Sequence, residues 1–282
     1  MKIVSSERLI EEYLGVNSCG RQYIAGERQG SLREKGRMDY HLLYIAEGWA
    51  EITENGRKQK VPAGSVIFYP PHVRQEYCFY EETNSVSYYI HFGGTECEKL
   101  MRSIGVLEER IVFIGKSAEI ENCFLELIEE YNMKEILSDA ALNGKLLTLL
   151  AGIGRRLSYR RAGIDNASGS RIKEIKRQMS RELTENITLS EYAGRCGLSE
   201  SRFAHLFKEM TDMSPHRYLL FLRCEKAREL LENTEMSMAQ VAEQVGIADQ
   251  NYFSRFFKKY TGQSPREYRH KERLQKNNGK KI

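Results

Sequence analysis

Apolar positions recur with helical spacing twice near the end of the chain, and the second occurrence repeats the first. Phe203, Leu206, Phe207 and Met210 stand at i, i+3, i+4 and i+7, and Phe253, Phe256, Phe257 and Tyr260 do the same. This spacing predicts two helices, each with one inward stripe. Leu189, Tyr192 and Ala193 precede the first stripe, Val241, Ala242 and Val245 precede the second, and Gly197 and Gly246 lie between. Each copy therefore predicts helix, glycine turn and helix, the form of a helix-turn-helix whose second helix enters the DNA major groove. Ser199 and Asp249 stand where they would cap those second helices.

The repetition extends to individual residues. Phe203, Phe207, Lys208, Thr211, Ser214, Pro215 and Tyr218 recur fifty positions on as Phe253, Phe257, Lys258, Thr261, Ser264, Pro265 and Tyr268. Upstream the offset is forty-nine, so the second copy carries one extra residue near its turn. Ser201, Arg202, His205 and Lys208 are left outward in the first copy, and Gln250, Asn251, Ser254, Arg255 and Lys258 in the second. Gln and Asn can pair with adenine and Arg with guanine, which suits these faces to reading base edges. Merely solvated hairpins would have no reason to repeat the same Phe-Lys, Thr and Ser-Pro order. The aromatic stripes have the spacing of a buried face, not of a base-stacking platform.

The N-terminal half has a different period. Between residues 37 and 92 the segments YHLLYIAEG, WAEITENG, SVIFYPP and SVSYYIHF alternate, with turn residues Asn55-Gly56, Pro62, Gly64 and Pro70-Pro71 between them. Short alternating strands at this interval predict an antiparallel sandwich or small barrel. After Lys116 the pattern turns helical, with one stripe of Ile120, Phe124, Leu127, Ile128 and Tyr131 and another of Ala141, Leu142, Lys145, Leu146, Leu149 and Leu150. The leucines at 146, 149 and 150 are too apolar for an exposed helix, so the expectation is burial partly against the barrel and partly against a second subunit. Residues 158–170 lack apolar periodicity and read as a linker.

Charge follows the same division. From Arg171 onward there are 22 Lys and Arg against 15 Asp and Glu, whereas residues 1–170 carry a net −3. Positive charge gathered in the repeat half is what phosphate contact requires. The tail from Arg269 to Lys281 adds basic residues, read as a disordered segment contributing nonspecific attraction. The cysteines at 19, 78, 97, 123, 196 and 224 are dispersed without a C-x-x-C, which indicates neither zinc nor a disulfide framework. The segment MKIVSSERLIEEYLG has no signal-peptide core and no long apolar run follows, so a cytoplasmic protein without a membrane span is expected.

The stretch ITLSEYAGRCGLSESRFAHLFKEM, the second unit AQVAEQVGIADQNYFSRFFKKYTGQSPREYR and the spacing between them resemble the DNA-binding domain of AraC/XylS-type transcriptional regulators. The resemblance covers roughly residues 171–270. It implies one long helix joining the two units, from about Pro215 to Glu232, on the order of 25 Å long. That suits two recognition helices in successive major grooves, about 34 Å apart on one face of the duplex. Ile247 and Ala248 depart from the family, which usually has an aromatic residue and a serine there, and Gly194 inside the first helix should cost up to about 1 kcal/mol relative to Ala.

The N-terminal half resembles the family's cupin-type sensor domain, through G-W-A-E-I, N-G and V-P-A-G-S-V-I-F-Y-P-P-H at matching spacing. The implied fold is α+β: a cupin-like antiparallel β-barrel with a helical dimerisation pair over residues 1–160, a linker over 161–170, and a domain of two helix-turn-helix units over 171–282. In sugar-sensing members the barrel mouth is lined by an arginine before the first long strand, a tyrosine after the Pro-Pro corner, and side chains of the last strand. By spacing these fall on Arg33, Tyr77, Ser87 and Tyr89. An arginine with tyrosines suits a polyol or carboxylate. The same residues also fit an ordinary surface arginine and tyrosines that fill a barrel which only dimerises. His91 is unassigned, because next to Ile90 its direction is ambiguous, and Trp49 reads as packing.

A metal-dependent cupin enzyme fused to a DNA-binding unit is a competing reading, with His41 of Asp39-Tyr40-His41, Glu47 and His72 as three scattered candidate ligands. One histidine of the usual H-x-H pair is missing, and no closed or open metal site is defined. The sequence thus points to a non-enzymatic, homodimeric regulator of promoter DNA that responds to a small molecule such as a sugar, without a cofactor.

Overall fold

The computed structural model describes residues 13–24, 29–80, 82, 84–107 and 109–278; the N-terminal segment 1–12, read for a targeting signal, and the tail's Lys281 lie outside them. The chain divides into two compact units, Met1–Arg161 and Ala162–Ile282.

In the first unit the strands are β1 (Gly15–Tyr23), β2 (Gln29–Arg33), β3 (Tyr40–Glu47), β4 (Trp49–Glu54), β5 (Arg57–Pro62), β6 (Ser65–Tyr69), β7 (Gln75–Phe79), β8 (Val86–Gly93) and β9 (Ile111–Phe113). They form two antiparallel sheets, ordered β1-β8-β3-β6-β9 and β2-β7-β4-β5. Leu43, Ile45, Ile67 and Tyr69 from one sheet pack with Ala50, Ile52, Val61 and Phe79 from the other, closing a flattened barrel. The helices α1 (Cys97–Ile104), α2 (Ala118–Met133) and α3 (Ser138–Arg161) cover the outside of the five-stranded sheet. Leu42, Tyr44, Ala46, Phe68, Tyr88, Ile90 and Phe92 pack there against Phe124, Leu127, Leu146, Leu149 and Leu150. Alternation thus sends β3 and β8 side chains into two different cores.

Three expectations change. Leu146, Leu149 and Leu150 are fully buried within their own subunit, against the sheet and α2, so none is left to meet a partner. The exposed apolar residues of the helical pair are instead Leu125, Met133, Ile136, Leu137 and Leu147. The segment expected as a linker is mostly helical: α3 continues to Arg161, and α4 (Asn166–Arg181) starts where the Asp165 side chain accepts from Ser168 N–H. Its buried side, Ile172, Ile175 and Met179, lies beyond the stretch that lacked periodicity. The basic tail is also helical to residue 278, within α10 (Pro265–Asn278).

The second unit continues with α5 (Leu189–Arg195), α6 (Glu200–Thr211), α7 (Pro215–Asn233), α8 (Met238–Gln244) and α9 (Gln250–Thr261). The connecting helix α7 has 19 residues, about 28 Å of rise. Ser199 accepts from Arg202 N–H and Asp249 from Asn251 and Tyr252 N–H, so both caps form as expected, with Asp249 serving in place of the family's serine. Gly194 faces open space, and no packing reason accounts for it.

The repeated residues are explained by the exit from each of these helices. The Thr211 hydroxyl sits 2.7 Å from the Phe207 carbonyl and 2.9 Å from that of Met213, and Thr261 repeats this with Phe257 and Gln263 at 2.9 Å each. Ser214 then caps α7, with Pro215 in its first turn. Tyr218 meets Phe207 edge-on at 5.3 Å, as Tyr268 meets Phe257 at 5.4 Å. The stripes differ from expectation at one end, because Tyr260 is 37 % exposed, its ring tilted against Phe256 at 5.0 Å.

Gly246 turns between α8 and α9 at φ 72°, where a Cβ would lie 2.6 Å from the Leu183 carbonyl oxygen and 2.8 Å from Arg223 Nη2. Arg223 itself is buried and donates to the Leu183 and Glu185 carbonyls, so it cannot yield without breaking bonds that satisfy a buried charge. Gly262 has a similar φ of 79° but open space around it. Gly262→Ala should therefore cost about 1 kcal/mol, and Gly246→Ala about 2–4 kcal/mol. Urea unfolding followed by far-UV circular dichroism checks the difference; equal costs would mean that the Leu183–Arg223 contact does not constrain the turn.

Candidate functional site

The inward face of the barrel changes from apolar to polar towards one end. His41 and His91 are register partners across β3 and β8, with ring centroids 4.5 Å apart. The His41 ring also lies 5.8 Å from Tyr69 and 5.9 Å from Tyr77, and His91 lies 5.2 Å from Tyr89. His41 Nδ1 meets Gln75 Oε1 at 3.3 Å; an amide oxygen only accepts, so with this orientation the proton is on Nδ1. Ser18 Oγ and His91 Nδ1 share a hydrogen bond of 2.7 Å. Asp39 accepts from Arg37 and Asn17 at the edge of this group.

Of the sequence-predicted ligand residues, Tyr77 and Tyr89 belong to this interior and are half-buried. Gly20 makes room for Tyr89, since a Cβ there would lie 2.8 Å from the ring. Ser87 is fully buried, its hydroxyl donating to Gln22 Oε1 at 3.5 Å. Arg33 pairs with Gln75 across β2 and β7 and donates to Ser31 Oγ. Its charge is felt at both imidazoles. The sequence reading missed His41 as a lining group, as well as Gln75 and Tyr69, and left His91 unassigned. The period-2 rule finds His91, because it stands two residues beyond Tyr89 and four beyond Ser87.

Three buried atoms in this group have no hydrogen-bond partner among the described residues: Tyr69 OH, Gln75 Nε2 and His91 Nε2. A cleft of about 300 Å³ lined by Ile52, Glu54, Ile67, Tyr69, Arg110 and Ile111 reaches the group at Tyr69. The candidate metal ligands do not converge. Glu47 and His72 are exposed and Asp39 is ion-paired with Arg37. Among the described residues no three His, Cys, Asp or Glu side chains form a group that could hold a metal ion.

The second candidate surface is the outward side of α6 and α9. Ser201, Arg202, His205 and Lys208 are exposed, as are Gln250, Asn251, Arg255 and Lys258, with Ser254 half-buried. The two helices share one burial pattern, so corresponding positions project alike. Arg202 is tethered, donating to the Gly163 carbonyl at 3.0 Å. Ser254 donates back to the Gln250 carbonyl. Tyr252, which the sequence reading passed over, is 44 % exposed on the same face.

Residues 22–150 match the family model described as an AraC-like ligand binding domain, and residues 192–271 match a helix-turn-helix domain. The chain belongs to the AraC family of transcriptional regulators. It is 23 % identical to the Msm operon regulatory protein of Streptococcus mutans over 92 % of this chain and 91 % of that protein. It is 27 % identical to the MmsAB operon regulatory protein of Pseudomonas aeruginosa, covering 84 % of this chain and 77 % of that one. The Arabinose operon regulatory protein of Salmonella typhimurium is also 27 % identical, over 84 % and 85 %. The polar barrel end therefore lies in the ligand-binding domain of an AraC-family regulator, and α6 and α9 in its helix-turn-helix domain. No helix among the described residues is long and apolar enough to cross a membrane.

The imidazoles predict a pH response. Burial, with the neighbouring histidine and arginines adding to it, brings His41 down to about 3; burial, then Arg37, brings His91 down to about 4. Both are neutral in the folded barrel at pH 7, whereas the unfolded chain takes up protons below about pH 6.5. The unfolded state then holds more protons, so stability falls as pH falls from about 6.5 towards 4. Between pH 7 and 5 the loss is on the order of 2 kcal/mol per histidine. Urea unfolding read by Trp49 fluorescence should show it, and His41→Asn with His91→Asn should flatten the slope. An equally steep slope in the double variant would place its origin elsewhere.

Proposed function

We propose that this AraC-family regulator senses a small hydroxylated molecule, a sugar or a derivative, in the polar end of its barrel and reads promoter DNA with α6 and α9. The observation that carries the sensing role is the set of buried atoms without partners among the described residues, Tyr69 OH, Gln75 Nε2 and His91 Nε2, beside Arg33. A buried polar group without a partner costs about 1–3 kcal/mol, a cost that a hydroxylated ligand removes. Relatives named for the operons they regulate, arabinose among them, favour the same reading. Arg33, Tyr77, Ser87 and Tyr89 are assigned to this site with His41, Gln75 and His91, as binding groups and not catalysts. Ligand would act by favouring one arrangement of the two units over another.

On DNA, Gln250, Asn251 and Arg255 carry base-matching chemistry, while Lys208 and Lys258 suit phosphates. Arg202, tethered to Gly163, is assigned to positioning the helix as well as to contact. Arg255→Ala should weaken specific binding by about 1–3 kcal/mol and relax preference at one base position. Lys258→Ala should weaken all sequences alike and reduce the salt slope by about one. Gel shifts against a randomised site separate the two; unchanged preference in Arg255→Ala would remove α9 as a reading helix.

The helical pair is assigned to joining two subunits, through Leu125, Met133, Ile136, Leu137 and Leu147. Ile136 is 95 % and Leu137 77 % exposed, and Leu137 also holds a left-handed backbone at φ 66°. Sedimentation of the full chain at micromolar concentration should show a dimer that Ile136→Glu with Leu147→Glu converts to monomer. A dimer unaffected by both charges would place the interface elsewhere.

A further inference from the structure

The charges around the barrel's polar end are unequal in one respect. Arg37 is paired with Asp39, Arg74 with Glu34 and Glu76, and Arg110 with Glu54. Arg33 has no carboxylate partner among the described residues; its guanidinium donates only to a neutral hydroxyl, Ser31 Oγ. It stands on β2 opposite Gln75, whose amide nitrogen is fully buried without a partner among the described residues. The nearby imidazoles are uncharged at pH 7, and Asp39 is already matched to Arg37. Among the described residues Arg33 is therefore a positive charge without a carboxylate, placed beside these buried polar atoms.

The remaining groups ask for hydroxyls. Gln75 Nε2 only donates, whereas Tyr69 OH and His91 Nε2 meet a group able to donate or accept. Tyr77 and Tyr89, both half-buried, can supply ring faces for the C–H side of a saturated ring. A metal cation is disfavoured by the Arg33 charge, and an apolar ligand would leave all three orphan groups unmet.

Resting on the reading of the barrel as a sensor, we propose that its ligand is a hydroxylated monocarboxylate, a sugar acid, with its carboxylate forked by Arg33 and its hydroxyls on Gln75, His91 and Tyr69. An arginine fork matches a carboxylate through two parallel charge-assisted hydrogen bonds, which a neutral sugar does not offer.

Titration calorimetry of the full chain with matched pairs, D-galacturonate against D-galactose and D-glucuronate against D-glucose, tests this. At least one acid should bind tenfold to a hundredfold tighter than its neutral partner. Arg33→Gln should bring the two within about twofold, while Arg33→Lys, which keeps the charge but loses the fork, should retain part of the preference. A purely structural role of Arg33 would weaken both members alike and leave their ratio unmoved. Neutral sugar bound as tightly as its acid, a preference that survives Arg33→Gln, or no binding of either acid at millimolar concentration overturns the proposal. Affinity for DNA selected from a random library, measured with and without the acid, distinguishes the sensor reading. An acid that binds with the expected preference but leaves DNA affinity unchanged supports this seat and sinks the sensor.

Discussion

Strands β3 and β8 are buried on both faces, and the chemistry of the first unit follows from that constraint. Their even-numbered residues, Leu42, Tyr44, Tyr88, Ile90 and Phe92, meet the helices, and their odd-numbered ones point between the sheets. Polar side chains on the second set have no water to turn to. They turn to neighbouring strands, as His91 does to Ser18 and His41 to Gln75, while His91 Nε2, with Tyr69 OH on β6 and Gln75 Nε2 on β7, has no partner among the described residues. A barrel that needed only to dimerise would be more stable with apolar residues in these places, since an unmet buried polar group is a net loss. On the proposed reading, these groups mark a site that a ligand completes.

The second unit shows how duplication separates structure from recognition. The residues that recur, Phe203 and Phe253, Thr211 and Thr261, Ser214 and Ser264, Tyr218 and Tyr268, build the inward stripe and the exit turn. Those that differ, Ser201, Arg202 and His205 against Asn251, Tyr252 and Arg255, are outward. One scaffold thus presents two chemically distinct faces. Two half-sites of unlike sequence are what such a molecule is suited to read.

Much of this was legible in the residues, for reasons that also explain what was not. The helices of the second unit announce themselves because stripe, glycine turn and cap agree at every position. The strand β5, with the sequence RKQKVP, does not, because an exposed edge strand carries charge and not alternation. Strand β1, with the sequence GVNSCGRQY, is polar at Ser18, which meets His91, and so also lacks the pattern. His91 stayed ambiguous because in a strand buried on both sides apolarity does not tell the cavity face from the helix face. The leucines of α3 were apolar enough to demand burial, but sequence cannot say whether a stripe is covered by its own sheet or by a second subunit. The spacing that placed Arg33, Tyr77, Ser87 and Tyr89 came from family likeness, and it omitted the imidazoles at the centre of the group.

The central claim, that the polar barrel end is a small-molecule site centred on two neutral imidazoles, is tested most directly by the side-chain nitrogen resonances of the six histidines in the full chain. On addition of a sugar acid that binds, the account predicts that His41 and His91 shift while His72, His205, His216 and His270 do not. A bound ligand that leaves His41 and His91 unmoved would contradict it.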